Sequence, residues 1–349
     1  MTADSLSAPF ALESKDLRKF YGRGKRRFEA VRGVSLKLYP GEVLAFLGPN
    51  GAGKTTTIKM IAGLVYPDAG WVRIAGQDPY RQPDALRSVG AVLEGNRNLY
   101  WRLTPLENLE YFGVLRKLSR RVARERGLEL LERFELLDKR GETVRKLSRG
   151  MQQKIAIAVA LIHKPKLLLL DEPTLGLDVE AGETVKTLIR QVADSGCAIL
   201  LTTHQLNVAE ALSDRVAVIR QGKIVAEKST QALIRQFSDR SAYYIEVEGN
   251  LDISRKLALE KLGARVEGGV VRYTPSAASR RYSDGSAPEG SVDVYKIFSI
   301  LDPLPLVEVR QNKADLTDAF LRLIQSDRPV EDAQEASVAI APSSFGGAK

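Results

Sequence analysis

Gly48-Pro49-Asn50-Gly51-Ala52-Gly53-Lys54-Thr55 fits the pattern G-x-x-x-x-G-K-[ST]. Glycines at this spacing let successive backbone N–H groups turn inward around phosphate oxygens. The flanking residues give the motif its setting. Upstream, Val43-Leu44-Ala45-Phe46-Leu47 is an apolar run of strand length. Downstream, Thr56, Thr57, Ile58, Met60, Ile61 and Leu64 recur at helical spacing toward Gly63. Strand, glycine-rich turn and helix in that order predict a phosphate cradle, to which the helix N-terminus adds about half a positive charge. Lys54 then reaches the β- and γ-phosphates, and the Thr55 hydroxyl is a ligand for Mg²⁺. A chance glycine-rich turn is the alternative, and the flanking strand and helix argue against it.

A second run points the same way. Leu167-Leu168-Leu169-Leu170-Asp171-Glu172 is an apolar strand ending in two acids. A strand this apolar is expected in a parallel sheet covered on both faces, and ligands of such sheets bind beyond the carboxyl ends of the strands. Asp171 is placed to hold Mg²⁺, and Glu172, pointing elsewhere, to orient and polarise an attacking water. Alone, the two acids equally suit an exposed strand end; beside the glycine-rich loop the functional reading prevails. His204 ends the apolar run Ala198-Ile199-Leu200-Leu201-Thr202-Thr203 and is a candidate hydrogen-bond partner of the γ-phosphate or the water. His163, before Lys164-Pro165, reads as a loop residue with no assigned role.

Composition bounds the rest. Of 349 residues, 44% are hydrophobic and 27% charged, as in a globular protein with room for one large and one small domain. No apolar run approaches the roughly 18–20 residues that cross a bilayer. Residues 1–10 lack the basic start and apolar stretch of a signal peptide. The single Cys197 forms no internal disulfide, which fits a reducing compartment. The net charge of +9 suits acidic partners such as nucleotide, anionic lipid or nucleic acid. Arg23, Lys25, Arg26 and Arg27 carry part of it, and a solvated basic loop accounts for them equally well.

No internal repeat is evident. Residues 12–238 alternate buried-strand runs with amphipathic helices, after a flexible tail over 1–11. Residues 215–219 and 223–226 around Gln221-Gly222 predict a late hairpin. Residues 105–137 are charged, leucine-rich and helical in period, and predict a helical subdomain inserted over about 96–148. Beyond Ser238 a small α+β domain is expected over 239–326. Its strands are 242–247, 266–273 and 306–310, and its helices 253–262, 292–301 and 315–324. Residues 274–291, rich in Ser, Pro, Gly and Ala, predict a flexible insertion, and 327–349 a disordered tail.

Leu147-Ser148-Arg149-Gly150-Met151-Gln152-Gln153 precedes the acidic pair, and Asp171-Glu172-Pro173-Thr174-Leu175-Gly176-Leu177-Asp178 contains it. With the phosphate loop and the terminal histidine, these runs closely resemble the ATP-binding cassette (ABC) proteins over about 12–233. The resemblance implies an α/β P-loop NTPase cassette, a mixed sheet with an inserted helical subdomain, here followed by the α+β domain. It implies ATP and Mg²⁺ as cofactors and ATP hydrolysis as the activity, with Glu172, His204 and Lys54 as catalytic groups. Residues 47–57 and Thr104-Pro105-Leu106-Glu107-Asn108-Leu109 resemble the branch that powers drug, antibiotic and natural-product exporters, in which the ATPase and the membrane subunits are separate chains.

In that family two cassettes pack head to tail with ATP between the phosphate loop of one and the signature run of the other. The resemblance therefore implies a second cassette, as a homodimer, and an integral membrane permease as partners. It also implies a peripheral location on the cytoplasmic face of the membrane and no nucleic acid. Residues 48–56, from Gly48, Pro49, Asn50, Gly51, Ala52 and Gly53 through Lys54, Thr55 and Thr56, bind the phosphates. Ser148 and Gly150 act across the dimer, Tyr21 stacks on adenine, and Asp178 links the two sites. Thr55, Glu94 and Asp171 are the implied metal contacts. Two positions depart from the family: Glu94 stands where a glutamine is usual, and Arg149 where a glycine is usual. Arg149 either points away from the nucleotide or adds a positive group to the composite site. An importer ATPase shares all of this chemistry. A ribosome- or DNA-directed ABC protein is disfavoured by the single signature and by the lack of a sustained heptad run.

Overall fold

The computed structural model describes residues 10–93, 99–237, 242–273, 289–312 and 315–325. The chain begins with β1 (Leu12–Tyr21), β2 (Phe28–Leu38), β3 (Val43–Leu47), α1 (Lys54–Ile61), β4 (Ala69–Ile74) and β5 (Val89–Val92). The helical insertion follows as α2 (Pro105–Leu115) and α3 (Arg120–Arg133), and α4 (Arg149–Leu161) leads back to β6 (Leu167–Asp171). The cassette continues through α5 (Val179–Asp194), β7 (Ala198–Thr202), α6 (Leu206–Leu212), β8 (Arg215–Arg220), β9 (Lys223–Ser229) and α7 (Thr230–Phe237).

Helices α2 to α5 start where the sequence supplies a cap. Thr104 and Glu107 form a reciprocal capping box at α2 with Pro105 in its first turn. Ser119, Ser148 and Asp178 cap α3, α4 and α5.

A six-stranded sheet in the order β5-β6-β7-β3-β8-β9 forms the centre, parallel except for the antiparallel β8–β9 hairpin. Every residue of β3, β6 and β7 is buried, because helices cover the sheet on one side and a second sheet on the other. That second sheet, antiparallel in the order β2-β1-β4, packs Leu12, Leu17, Val34 and Leu36 against Leu44, Phe46 and the apolar side of α1. The opposite face packs Ile155, Leu168, Leu170, Ile189 and Leu201 together with the helical insertion through Leu109 and Leu131.

The accessory region comprises β10 (Ala242–Val247), α8 (Ile253–Lys261), β11 (Arg265–Glu267), β12 (Val270–Tyr273), α9 (Glu289–Leu301), β13 (Leu306–Asn312) and α10 (Leu316–Gln325). Its four strands form an antiparallel sheet in the order β11-β12-β10-β13, with Ile245, Val271, Leu259, Ile297 and Leu301 in a core under α8 and α9.

Two expectations are corrected here. The stretch 266–273 is a hairpin of two strands, turned at Gly268 and Gly269, both at positive φ (56° and 87°). The terminal helix does not join the accessory core: Leu316, Ala319 and Leu323 of α10 pack with Ala209 and Leu233 of α6 and α7 beside Leu47 and Val218. Its Leu316 N–H also donates to Glu210 at 2.9 Å. The tail over 327–349 and most of the insertion over 274–291 lie outside the described residues.

Candidate functional site

The phosphate loop leaves β3 at Gly48 and enters α1 at Lys54. Gly53 sits at φ 109°, where a side chain is strained, and a Cβ there would lie 2.6 Å from the Ala30 carbonyl oxygen. The residue is therefore fixed as glycine by both conformation and space. Ala52 and Gly222 are joined by a backbone hydrogen bond of 2.9 Å, and Gly222 in turn accepts from Arg32 N–H at 2.7 Å. The loop is thus braced by the β8–β9 turn and by β2. No side chain caps the start of α1, so its first N–H groups are oriented for an external acceptor. Lys54 is buried and its Nζ donates to the Gly48 and Pro49 carbonyls at 2.6 and 3.2 Å. The ammonium accordingly lies inside the curl of the loop.

Strand β7 lies between β3 and β6, so Asp171 and Glu172 emerge two strand spacings from the loop, about 10 Å, at the same sheet end. Asp171 is 5% exposed. One of its oxygens accepts from Thr202 Oγ1, and its Oδ2 is buried with no hydrogen-bond partner among the described residues. An orphaned buried carboxylate oxygen is a hard donor awaiting a cation. Mg²⁺ is usually held by one or two carboxylates together with substrate phosphates, so Asp171 and the half-buried Thr55 fit it. Glu94, the third expected contact, lies outside the described residues.

Glu172 sits at φ 51°, the left-handed region that a non-glycine residue rarely adopts. Its N–H donates to the Thr202 carbonyl at 2.9 Å, and the turn aims its carboxyl across the end of β7. There Oε2 accepts from Thr203 Oγ1 at 3.1 Å, and Oε1 accepts from His204 N–H at 2.9 Å and contacts His204 Nδ1 at 2.8 Å. The structure therefore brings two expected residues together in a way the sequence did not indicate. His204 engages Glu172 through Nδ1, so Nε2 is the ring nitrogen not used in this contact. Thr202 and Thr203, which position the two acids, were missed. The polar Thr-Thr pair ending an otherwise apolar strand was the available signal.

Ser148 Oγ accepts from Met151 N–H at 3.2 Å and Asp178 Oδ1 from Ala181 N–H at 2.8 Å, each capping its own helix. These two helix starts abut, since a Cβ on Gly150 would come within 2.6 Å of Ala181 Cβ. Arg149 is exposed, and its Nη1 lies 3.6 Å from where a Gly176 Cβ would stand. It therefore runs along the 175–178 loop of its own chain.

Tyr21 ends β1, partly exposed, with its ring 6.0 Å from that of Phe28. The neighbouring backbone is anchored by Asp68, which accepts from Phe20 N–H at 2.7 Å and Lys19 Nζ at 3.1 Å. The Phe20 N–H, followed by Lys19, holds the Asp68 carboxyl below its ordinary range. The Ala30 carbonyl oxygen, two residues past Phe28, lies 2.6 Å from where a Gly53 Cβ would stand, so β2 runs from this aromatic pair to the phosphate loop.

A strand–loop–helix phosphate cradle, with two carboxylates at the same end of the sheet two strands away, defines a P-loop nucleoside triphosphatase. The ABC transporter family profile matches residues 31–175. The ABC transporter ATP-binding protein NatA of Bacillus subtilis is 38% identical over 222 residues, 63% of this chain and 90% of that protein. The daunorubicin/doxorubicin resistance ATP-binding protein DrrA of Streptomyces peucetius is 41% identical over 223 residues, 64% of this chain and 66% of that one. Among solved structures, the dimeric post-hydrolysis cassette MJ0796 bound to ADP and Pi is 30% identical, with a TM-score of 0.56 over 62% of this chain and 98% of that one. The chain belongs to the ATP-binding proteins of ABC transporters, and it is an ATPase.

Proposed function

We propose that this chain is the motor subunit of an ABC exporter, closing on a second copy around ATP and driving a separate membrane permease. The observation that carries the reading is the Glu172 carboxylate, held by three donors at the sheet end that also presents the phosphate loop. In this reading the backbone N–H groups of residues 48–56 and Lys54 hold the triphosphate, and Tyr21 stacks on the adenine. Asp171 and Thr55 would hold Mg²⁺, with Glu94 a further candidate; when bound, the ion offsets charge on the β- and γ-phosphates. Glu172 takes a proton from the attacking water, and His204 steadies that carboxylate through Nδ1 while Nε2 faces the γ-phosphate. Ser148 and Gly150, at the start of α4, meet the γ-phosphate of the second copy, and Asp178 lies at the junction of the two sites. Loss of the γ-phosphate removes the charge that holds the halves together.

Export is supported by relatives named for drug resistance, DrrA and the linearmycin resistance protein LnrL. A permease partner is supported by an exposed aromatic patch. Tyr100, Trp101 and Tyr111 are 40–48% exposed, and Tyr100 is fixed by hydrogen bonds between its backbone and Asn108. Among the described residues no helix is long and apolar enough to cross a membrane, so the transport path is assigned to the partner, with this chain on the cytoplasmic face. Purification from native membranes is the test. Recovery with an integral membrane protein, lost on Trp101→Glu, is expected; recovery with ribosomes or DNA overturns the assignment.

A further inference from the structure

Among the described residues, the four-stranded sheet of the accessory region has one face under α8 and α9 and one left open. Along its strands Ile245 and Val271 are fully buried, while their neighbours Glu246 and Arg272 are exposed. The open face carries its charge in two rows. Arg265, Arg272, Tyr244 and Arg310 are direct register partners across β11, β12, β10 and β13. Two residues along each strand, Glu267, Val270, Glu246 and Glu308 form the next row. The guanidinium carbons of Arg272 and Arg310 each lie 5.5 Å from the Tyr244 ring centroid, which aligns the basic row.

This arrangement is unfavourable in isolation. Arg265 stands directly opposite Arg272, and Glu246 directly opposite Glu308, and like charges in such positions destabilise a sheet. Three positive and three negative groups in separate rows, about 7 Å apart, form a face that is neutral overall but strongly dipolar. A polyanion would meet the acidic row. A second copy of the same face would not, because a two-fold axis lying across the strands between the rows sets each basic row over an acidic one. Arg310 then faces the partner's Glu308, Arg265 faces the partner's Glu267, and Tyr244 faces the partner's Glu246. This is the self-complementarity an isologous contact requires.

We infer that the open face of the accessory sheet is a homotypic docking surface, in which the arginine row of one copy pairs with the glutamate row of another. The patch spans four strands, a few hundred Å² per copy, well under the roughly 800 Å² per partner of a stable complex. The contact is therefore weak between free chains and becomes effective when two chains are already tethered. It uses no residue of the nucleotide site.

Sedimentation equilibrium of the nucleotide-free, full-length chain at up to about 1 mM tests this in the concentration range of weak contacts. Weak dimerisation that high salt abolishes is expected. Arg310→Glu or Glu308→Arg alone should lower the association constant at least about tenfold, since each variant turns symmetry-related attractions into repulsions. The combined Arg310→Glu/Glu308→Arg chain exchanges the two charges and should return to within about threefold of the parent. All four positions of the cycle are read beside circular dichroism, both sites being exposed. A strictly monomeric parent, single variants without effect, a double variant that fails to recover, or a labelled oligonucleotide bound by the monomer through the arginine row would overturn the inference. ATP-driven closure is followed separately in Glu172→Gln, so failure of that reading is distinguished from failure of this one.

Discussion

Replacing Glu172 by glutamine tests the catalytic assignment with little structural disturbance. All three groups that meet the carboxylate can act as donors: Thr203 Oγ1, His204 N–H and His204 Nδ1. A glutamine in the same rotamer keeps its oxygen on the two His204 donors and turns its amide nitrogen toward Thr203 Oγ1. That hydroxyl already accepts from Gln205 N–H at 3.0 Å and has a second lone pair for the amide. The Thr203 hydroxyl proton gives up its carboxylate acceptor, at a cost of about 1–3 kcal/mol, while the chain should stay folded and nucleotide affinity should persist. What disappears is the charge that takes up the proton of the attacking water. General-base contributions of 10²–10⁴ in rate correspond to about 2.7–5.4 kcal/mol of barrier. Single-turnover phosphate release should therefore slow by at least about 100-fold, while the ATP dissociation constant stays within about threefold and a closed dimer accumulates. Release within about threefold of the parent rate would refute the assignment of Glu172 as base.

Three further outcomes follow from the geometry. Gly53→Ala places a Cβ 2.6 Å from the Ala30 carbonyl at φ 109°; it should cost about 1–3 kcal/mol in denaturant unfolding and weaken ATP binding at least tenfold. Leu316→Ala removes a fully buried side chain of α10 from the cassette core and should destabilise the cassette by about 2–5 kcal/mol, whereas a helix belonging to the accessory domain would leave cassette unfolding unchanged. The His163 ring is pushed down to about 4, first by burial and then by the charges of Arg116 and Arg126, against its hydrogen bond to the Val89 carbonyl. Between pH 6.5 and 4 the unfolded chain therefore binds more protons than the folded one, so stability falls as pH drops through that window. Melting temperature against pH should be flatter in that interval for His163→Gln, and an unchanged slope would count against the assignment.

The candidate nucleotide site was legible because its motifs are local. The loop from Gly48 to Thr55 declares itself through glycine spacing between a strand and a helix, and the Leu167–Asp171 strand through its unbroken apolar run. The β8–β9 hairpin was equally plain from Gln221-Gly222. What escaped depends on which distant segments meet. β1 and β2 pair through several register shifts, and β1 reaches β4 across the intervening residues 22–68, so no simple alternation announces the outer sheet. Strand order decides that β7 adjoins β6 and brings Thr203 and His204 onto Glu172; periodicity carries no record of that order. The terminal helix shows the same limit. Its amphipathicity reveals an apolar side, and only the tertiary structure reveals that α6 and α7 cover it.

Main-chain amides and Lys54 at the head of α1 are expected to grip a triphosphate. Titration calorimetry of the purified chain with ATP and magnesium tests it most directly. Saturable binding is predicted, weakened at least about tenfold by Lys54→Ala, which removes a charge-assisted contact. No measurable binding to the parent chain, or equal affinity in the two proteins, would mean that this loop does not hold the nucleotide.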